Sequence, residues 1–281
     1  MAALFKFIAN PEDARFVLQG CVKFTPIPEL NDPSELLPNV IPEDVTRSLE
    51  RLRKTGYSDE DMHHLRGQGK LLQRLAPDFQ AINVPKTKSE ATAIVRSAFY
   101  NNLPLLKRLL EETAEEISSK VGLFCLTKRN DSLPMWAHYA ANANGLVVEF
   151  RDLSSAFPGD DTGILFTPIP VRYERERLGV TFDPSSHESL FFAKFADWSY
   201  EQEVRVVVPL AACREVMTGG RRLYIFNIAP RHIARLILGW RMPKMMADSI
   251  IGFVLSINPD VEVVRARIES GQVRCEDRLH P

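Results

Sequence analysis

Glu201-Gln-Glu-Val-Arg-Val-Val-Val208 is the stretch on which the fold turns. Side chains alternate along a strand. Val204, Val206 and Val208 therefore share a face with Gln202, while Glu201, Glu203, Arg205 and Val207 share the other. The valine face reads as core. The opposite face carries two carboxylates and a guanidinium in a row. On a solvent-facing edge such a row neutralises itself, at about 0–1 kcal/mol per surface ion pair. On the wall of a cleft, one glutamate stabilises a cation or activates a nucleophile, and Arg205 orients it or binds an anion. Trp198 and Tyr200, just upstream, offer amphipathic aromatic surface suited to a flat ligand. The pattern by itself leaves both readings open.

Outward from this strand, residues 4–8, 21–25, 122–127, 146–150, 163–166, 170–173, 223–228 and 261–268 read as further strands. Residues 11–19 read as a helix, with Asn10 as its N-cap, Pro11 in the first turn and Gly20 ending it. Short helices are predicted over 135–143, stopped by Asn144-Gly145, and over 243–255. Residues from about 42 to 118 differ. They are densely charged, with apolar residues at helical spacing such as Val45, Leu49 and Leu52. Breaks are predicted near Gly67-Gln-Gly69 and Asn83-Val-Pro85. This stretch reads as a helical insertion packed on a sheet within a single domain, 1–281. Strands outnumber helices in the second half, which favours an α+β fold over regular βαβ alternation. No Gly-x-Gly-x-x-Gly follows a strand and no P-loop motif occurs, so dinucleotide and phosphate binding by those two devices is disfavoured.

Composition narrows the function classes. The 281 residues carry a net charge of -1, so no global positive field gathers nucleic acid or an anionic membrane. The four cysteines are isolated, with no partner spacing for zinc or a disulfide framework, and they suit a reducing compartment. No apolar run approaches the roughly 18 residues of a membrane helix, and the N-terminus lacks the pattern of a signal peptide. The expectation is a cytoplasmic protein without a metal site.

Three further constellations are candidates. Met135-Trp-Ala-His-Tyr139 sets Trp136 and Tyr139 three residues apart on a helix, with His138 roughly opposite Trp136. A capped aromatic helix between two strands makes a pocket wall. A lone histidine there is more often structural than a ligand. Leu30-Asn-Asp-Pro-Ser-Glu35 reads first as an Asx-turn, and alternatively places Asn31 and Asp32 at a ligand. Lys6, between Leu4 and Ile8 on one strand face, either snorkels or meets a phosphate in a polar cleft.

Taken in order, Leu4-Phe-Lys-Phe7, Lys23-Phe-Thr-Pro26, Leu30 to Glu35, Phe124-Cys-Leu-Thr127, Met135-Trp-Ala-His-Tyr-Ala140, Gly145-Leu-Val-Val-Glu-Phe150, Lys194 and Asp197-Trp-Ser-Tyr-Glu-Gln-Glu-Val-Arg205 resemble the bacterial family catalogued as domain of unknown function 2971. The resemblance spans most of the chain outside 42–118. Ser34 departs from it, standing where an aromatic residue is expected before the glutamate. The family's layout is similar to that of ADP-ribosyltransferases, including the DNA-modifying toxin type. The resemblance implies an α+β fold with a bent, mostly antiparallel, split sheet and a helical insertion. It implies an NAD-dependent ADP-ribosyltransferase-like enzyme, a defence or toxin effector, with NAD as substrate. A glutamate on a late strand is the key residue of such enzymes, which makes Glu203 the first catalytic candidate and Glu201 the second. Lys6, Thr25, Asn31, Asp32, Trp136, His138, Tyr139, Trp198 and Arg205 are the residues expected to hold the dinucleotide. Cleavage of the bond from ribose to nicotinamide builds positive charge on the sugar, and a fixed carboxylate stabilises it. The acceptor is left open among protein, nucleic acid and water. Two other readings stand beside this one: a non-catalytic binding or sensor domain that keeps the cleft, and a nucleotide-processing hydrolase.

Overall fold

Strand β1 (Leu4–Ile8) opens the computed structural model, which describes residues 3–31, 42–75, 84–97, 102–160, 163–175 and 189–278. Helix α1 (Pro11–Leu18) follows, its first turn closed by the Asn10 side chain, which accepts the Glu12 N–H at 3.0 Å. Gly20 ends it at φ +83°, where a Cβ would fall 2.1 Å from the Ile228 carbonyl oxygen. That close approach lets the chain enter β2 (Cys21–Pro26), which pairs with the strand just before Ile228.

The charged stretch forms α2 (Pro42–Thr55), α3 (Asp59–Leu75), α4 (Lys88–Arg96) and α5 (Leu103–Lys120). The break expected at Gly67-Gln-Gly69 does not occur. Helix α3 runs straight through it, because the bare Gly69 lets Val84 pack where a Cβ would lie 2.4 Å from its Cγ2. Val84 and Pro85 do separate α3 from α4, and Thr87 with Glu90 closes the α4 N-terminus as a capping box.

The remaining elements are β3 (Val121–Thr127), α6 (Leu133–Tyr139), β4 (Leu146–Phe150), β5 (Ile169–Pro170), β6 (Arg172–Glu174), β7 (Ala193–Phe195), β8 (Glu203–Pro209), β9 (Arg214–Thr218), β10 (Arg221–Asn227), β11 (Ile233–Leu238), α7 (Lys244–Ile257), β12 (Glu262–Glu269) and β13 (Gln272–Arg278). Residues 163–166, expected as a strand, contribute only an isolated bridge from Leu165 to Val207. The expected strand 170–173 is two short pieces, β5 and β6, interrupted at Val171, whose N–H pairs with the Glu203 carbonyl. The expected helix 135–143 stops at Tyr139. Ala141, Asn142 and Ala143 then take φ values of 48°, 53° and 66°, a left-handed turn. The Ala143 carbonyl accepts the Arg241 N–H and the Gly145 carbonyl accepts the Gly239 N–H, which ties the end of α6 to the end of β11. L-residues pay about 1–2 kcal/mol each for this conformation. Ala141 is exposed, so Ala141→Gly is expected to raise stability by about 1 kcal/mol in urea unfolding. An unchanged or lowered midpoint would contradict the strain assigned to this turn.

The main sheet is mostly antiparallel and runs β13-β12-β11-β4-β1-β3-β2-β10-β9, with β8 on the other edge of β3 and β5 beyond it. Its parallel pair, β11 and β12, is joined by α7. The sheet is split at β3. On one edge β3 meets β1 at Thr127 and β2 at Leu123 and Gly122, while β8 pairs along its whole length on the other. In the gap between β1 and β2, the Lys6 ammonium donates to the Cys125 carbonyl at 2.9 Å and stands in for the missing ladder bond.

One face of this sheet is a continuous core. Phe24, Phe124, Leu126, Val148, Val204, Val206 and Val208 pack there beneath Leu18 of α1 and Ile250 and Val254 of α7. The other face carries two separate apolar clusters. Phe5, Phe7 and Val147 lie under Trp136 of α6, and Leu123 and Val207 lie under Leu71 and Leu75 of α3. Between these two clusters the same face of β3 and β8 presents Cys125, Thr127, Glu203 and Arg205. That polar strip is where the site forms.

Candidate functional site

Residues Val204, Val206 and Val208 occupy the core as their alternation requires. The row opposite them is not a solvent-facing edge. β8 is covered by β3 on one side and β5 on the other, and Glu203 and Arg205 are 5% and 0% exposed. Glu201 is not on the strand. It ends a short 3-10 helix, Ala196–Glu201, and Gln202 then turns the chain at φ 45°, ψ 50° before β8 begins. Gln202 is exposed and leaves the valine face on which alternation places it. The Thr127 hydroxyl pins this turn by donating to the Glu201 carbonyl.

The turn brings both carboxylates to one ammonium. Lys194 Nζ lies 2.7 Å from Glu201 Oε2 and 3.3 Å from Glu203 Oε2. Lys194 sits on β7, opposite Tyr173 of β6 in the parallel pair. That register aims both side chains at the start of β8, where the Tyr173 hydroxyl accepts the Glu203 N–H at 2.7 Å. Arg205 grips Glu203 as a fork, Nε to Oε1 at 2.8 Å and Nη2 to Oε2 at 3.0 Å, and its Nη1 donates to the Phe191 carbonyl at 2.9 Å. Tyr139, at the end of α6, donates to Glu201 Oε1 at 2.7 Å. The Trp198 ring lies 4.8 Å from Lys194 Nζ, and Tyr200 stacks obliquely beside it.

These contacts set the protonation states. Burial alone would lower the Lys194 ammonium, but the charges of Glu203 and Glu201 raise it above the usual lysine range. Burial pushes the Glu203 carboxyl up, against the pull of Lys194. Burial, and then the Glu201 carboxylate, raise the Tyr139 phenol. Burial likewise raises Tyr173, from 10.0 to about 12, although the N–H it accepts pulls the other way. Burial and the Glu203 charge hold the Cys125 thiol well above its ordinary range, so it is a proton donor there and not a thiolate nucleophile. At neutral pH the site therefore has a charged ammonium, a charged guanidinium and protonated phenols.

The tyrosines and Lys194 share one sign of linkage. Folded values above unfolded ones mean that their stabilisation is complete below about pH 10 and is lost as pH rises through the folded values. For Tyr173 that window runs from 10.0 to about 12. Urea midpoints are expected to fall steeply between pH 10 and 12. Tyr173→Phe should flatten part of that slope, and should cost about 1–3 kcal/mol at pH 8 because the buried Glu203 N–H loses its acceptor. A slope identical to wild type would remove Tyr173 from this account.

The structure gathers some of the expected residues and disperses others. Glu201, Glu203, Arg205, Tyr139 and Trp198 converge around Lys194. Asn31 is exposed and lies near the Tyr139 hydroxyl. Trp136 does not line this site. It is fully buried between Phe7 and Trp240, with its indole N–H on the Asn130 carbonyl at 2.7 Å. His138 is exposed next to Tyr139. Thr25 pairs with Leu123 in the ladder beyond the split, and Lys6 serves the split itself. Arg205 cannot reach a ligand directly because it is buried behind Glu203. Asp32 lies outside the described residues. Reading of the residues alone misses Tyr173, Thr127 and Cys125. Tyr173 lies in a three-residue strand with no periodic signal, and Lys194 is marked only by the family resemblance.

No family model, curated protein or solved structure matches the chain. Among the described residues no helix is long and apolar enough to cross a membrane, and no group of three His, Cys, Asp or Glu is placed to hold a metal ion.

Proposed function

We propose that this protein is an NAD-using ADP-ribosyltransferase-like enzyme, acting as a defence or toxin effector. One observation carries the reading. The sheet splits at β3, and where the chain enters the strand paired to β3 a pair of carboxylates, Glu201 just before it and Glu203 at its start, is fixed against an ammonium beside half-buried aromatic rings. Loss of nicotinamide from NAD leaves a ribosyl cation. A carboxylate already fixed by hydrogen bonds stabilises that charge without reorganising. Trp198 and Tyr200 supply flat surface for the nicotinamide ring. A split sheet and a glutamate on a late strand, here Glu203, are also what the family resemblance implies, and fold likeness alone does not establish activity.

Adenine-labelled NAD supplied with protein, nucleic acid and water tests the reading. Label is expected on one of the acceptors, or in free ADP-ribose if water is the acceptor. Intact NAD throughout, with no heat of NAD binding, would rule it out. The tight mutual pairing of Glu203 with Arg205 favours a second reading, a binding or sensor domain in which the cluster is scaffold. NAD binding without turnover would favour that reading.

A further inference from the structure

One end of the main sheet is a basic ribbon. Strands β2, β10 and β9 together hold four cations, Lys23, Arg214, Arg221 and Arg222, and one carboxylate, Glu215, in a chain whose net charge is -1. Pairing sorts these groups by face. Tyr224 and Phe226 of β10 pack against the core, so Arg222 shares their face, where Glu215 lies 3.5 Å from it. Arg221, Leu223 and Ile225 point the other way. Ile225 pairs with Lys23 on one side and Arg214 on the other, and Arg221 pairs with Thr218. Cross-strand partners share a face. Lys23, Arg214 and Arg221 therefore stand together, with no carboxylate of these strands among them. Strand spacing sets Lys23 and Arg214 about 10 Å apart in one row, and Arg221 about 14 Å along the ribbon from it. Arg214 and Arg221 are exposed and neither has an ion pair among the described residues. Lys23 has Glu29 at 3.9 Å. The Gly219-Gly220 turn that closes the ribbon stands clear of the molecule, since a Cβ at either glycine would meet nothing within 4 Å.

The composition of that face selects the partner. An arginine offers a planar fork that matches a phosphate with two parallel N–H bonds. Val216, Thr218 and Leu223 lie between the basic residues, and no aromatic side chain of the three strands stands on this face. Protein interfaces draw on aromatic anchors, and single-stranded nucleic acid stacks its bases on aromatic rings. Anionic membranes attract clusters of about four to eight basic residues, more than this face holds. A duplex backbone needs neither rings nor a large cluster. Its phosphates recur at fixed spacing, and cations bind them without apolar contact. A two-stranded ribbon is also narrow enough to enter the major groove of DNA. We infer that the Lys23, Arg214 and Arg221 face of the β9–β10 ribbon binds the phosphate backbone of a nucleic-acid duplex. Strands β3, β2 and β10 lie between β8 and β9, so this surface is separate from the Lys194 cluster. The inference concerns binding alone and does not rest on the proposed function.

The test is fluorescence anisotropy of the full chain with labelled DNA and RNA duplexes of about 20 base pairs, at about 50–200 mM salt. Arg221→Gln and Arg222→Gln are a matched pair: neighbours in sequence, equal in charge change, on opposite faces of one ribbon. The double variant Arg214→Gln with Arg221→Gln completes the set. Wild-type affinity is expected to fall as salt rises. Arg221→Gln should lower the slope of log affinity against log salt by about 1, and the double variant by about 2. The double variant should also bind about tenfold or more weakly at the lowest salt. Arg222→Gln should leave slope and affinity as in wild type. All three side chains are exposed, so urea midpoints are expected to stay unchanged. If the glutamine pair lowers the midpoint, Arg214→Ala with Arg221→Ala takes its place. Binding of only one of the two duplexes supports the inference and identifies the nucleic acid. No binding by the wild type, equal slopes in wild type and double variant, or equal losses in Arg221→Gln and Arg222→Gln would overturn it. So would tighter binding to a single strand of the same length, to phosphatidylserine vesicles or to polyglutamate.

Discussion

Arg205→Met is expected to destabilise the fold by about 3–5 kcal/mol. The guanidinium is fully buried, forks onto both oxygens of Glu203 and donates to the Phe191 carbonyl. Without it the Glu203 carboxylate keeps Lys194 at 3.3 Å but loses its two shortest partners. Burial already pushes that carboxyl upward, so the stranded charge is the main cost. Changing Glu203 to methionine in the same chain removes the stranded charge and should recover most of the loss, as apolar replacement of a buried pair commonly does. A double-mutant cycle in urea isolates this term, with an expected coupling above about 1 kcal/mol. Additive losses would mean that Arg205 contributes by packing and not by pairing. Arg205→Lys is not a mild control, since a lysine cannot reproduce the planar fork.

Lys194→Met is the second large change, at about 3 kcal/mol near neutral pH. It leaves Glu201 and Glu203 facing one another in a buried strip, with Arg205 alone among the described residues paired to one of them. The sign of the pH dependence follows from the cited directions. Glu203 is already raised by burial, and Lys194 is the charge that pulls it down. Removing Lys194 raises it further. A carboxyl with a raised folded value contributes stability in full below about pH 4.3, its unfolded value, and loses it as pH rises through the folded one. The variant should therefore approach wild-type stability at pH 4–5 and fall behind it towards pH 7. Urea midpoints across that range check it. A deficit that is independent of pH would assign Lys194 to packing against Trp198 instead.

Much of this fold is legible in the sequence because burial imposes period two on β8. The three valines define a face, and the opposite row follows from it. The order of β1, β2, β3 and β4 is readable from short apolar runs, and α1 from its N-cap Asn10 and first-turn Pro11. Strand β11, Ile-Ala-Arg-Leu-Ile-Leu, is missed because it is central and buried on both faces, which erases alternation. β9 and β13 are edge strands whose exposed faces carry little apolar signal. The charged row is readable as a row, but its depth is not. Arginine is almost never fully buried unless paired, and the partner that permits it stands two residues away on the same strand face. The departure of Glu201 from the strand has no marker at all, because Gln202 adopts a left-handed turn without being glycine or asparagine. Tyr173 and Lys194 reach the site through a short parallel pair that has no sequence period.

The central claim is that this buried set of charges is a reaction site and not only a scaffold. Nicotinamide released from NAD by the purified full chain, compared with Glu201→Gln, tests it most directly. The account predicts steady release by the wild type and a loss of about 10²–10³-fold in the variant, the size expected for one preorganised electrostatic group, with the fold retained. Equal release by both proteins, or none from a folded wild type with protein, nucleic acid and water all present, would contradict it.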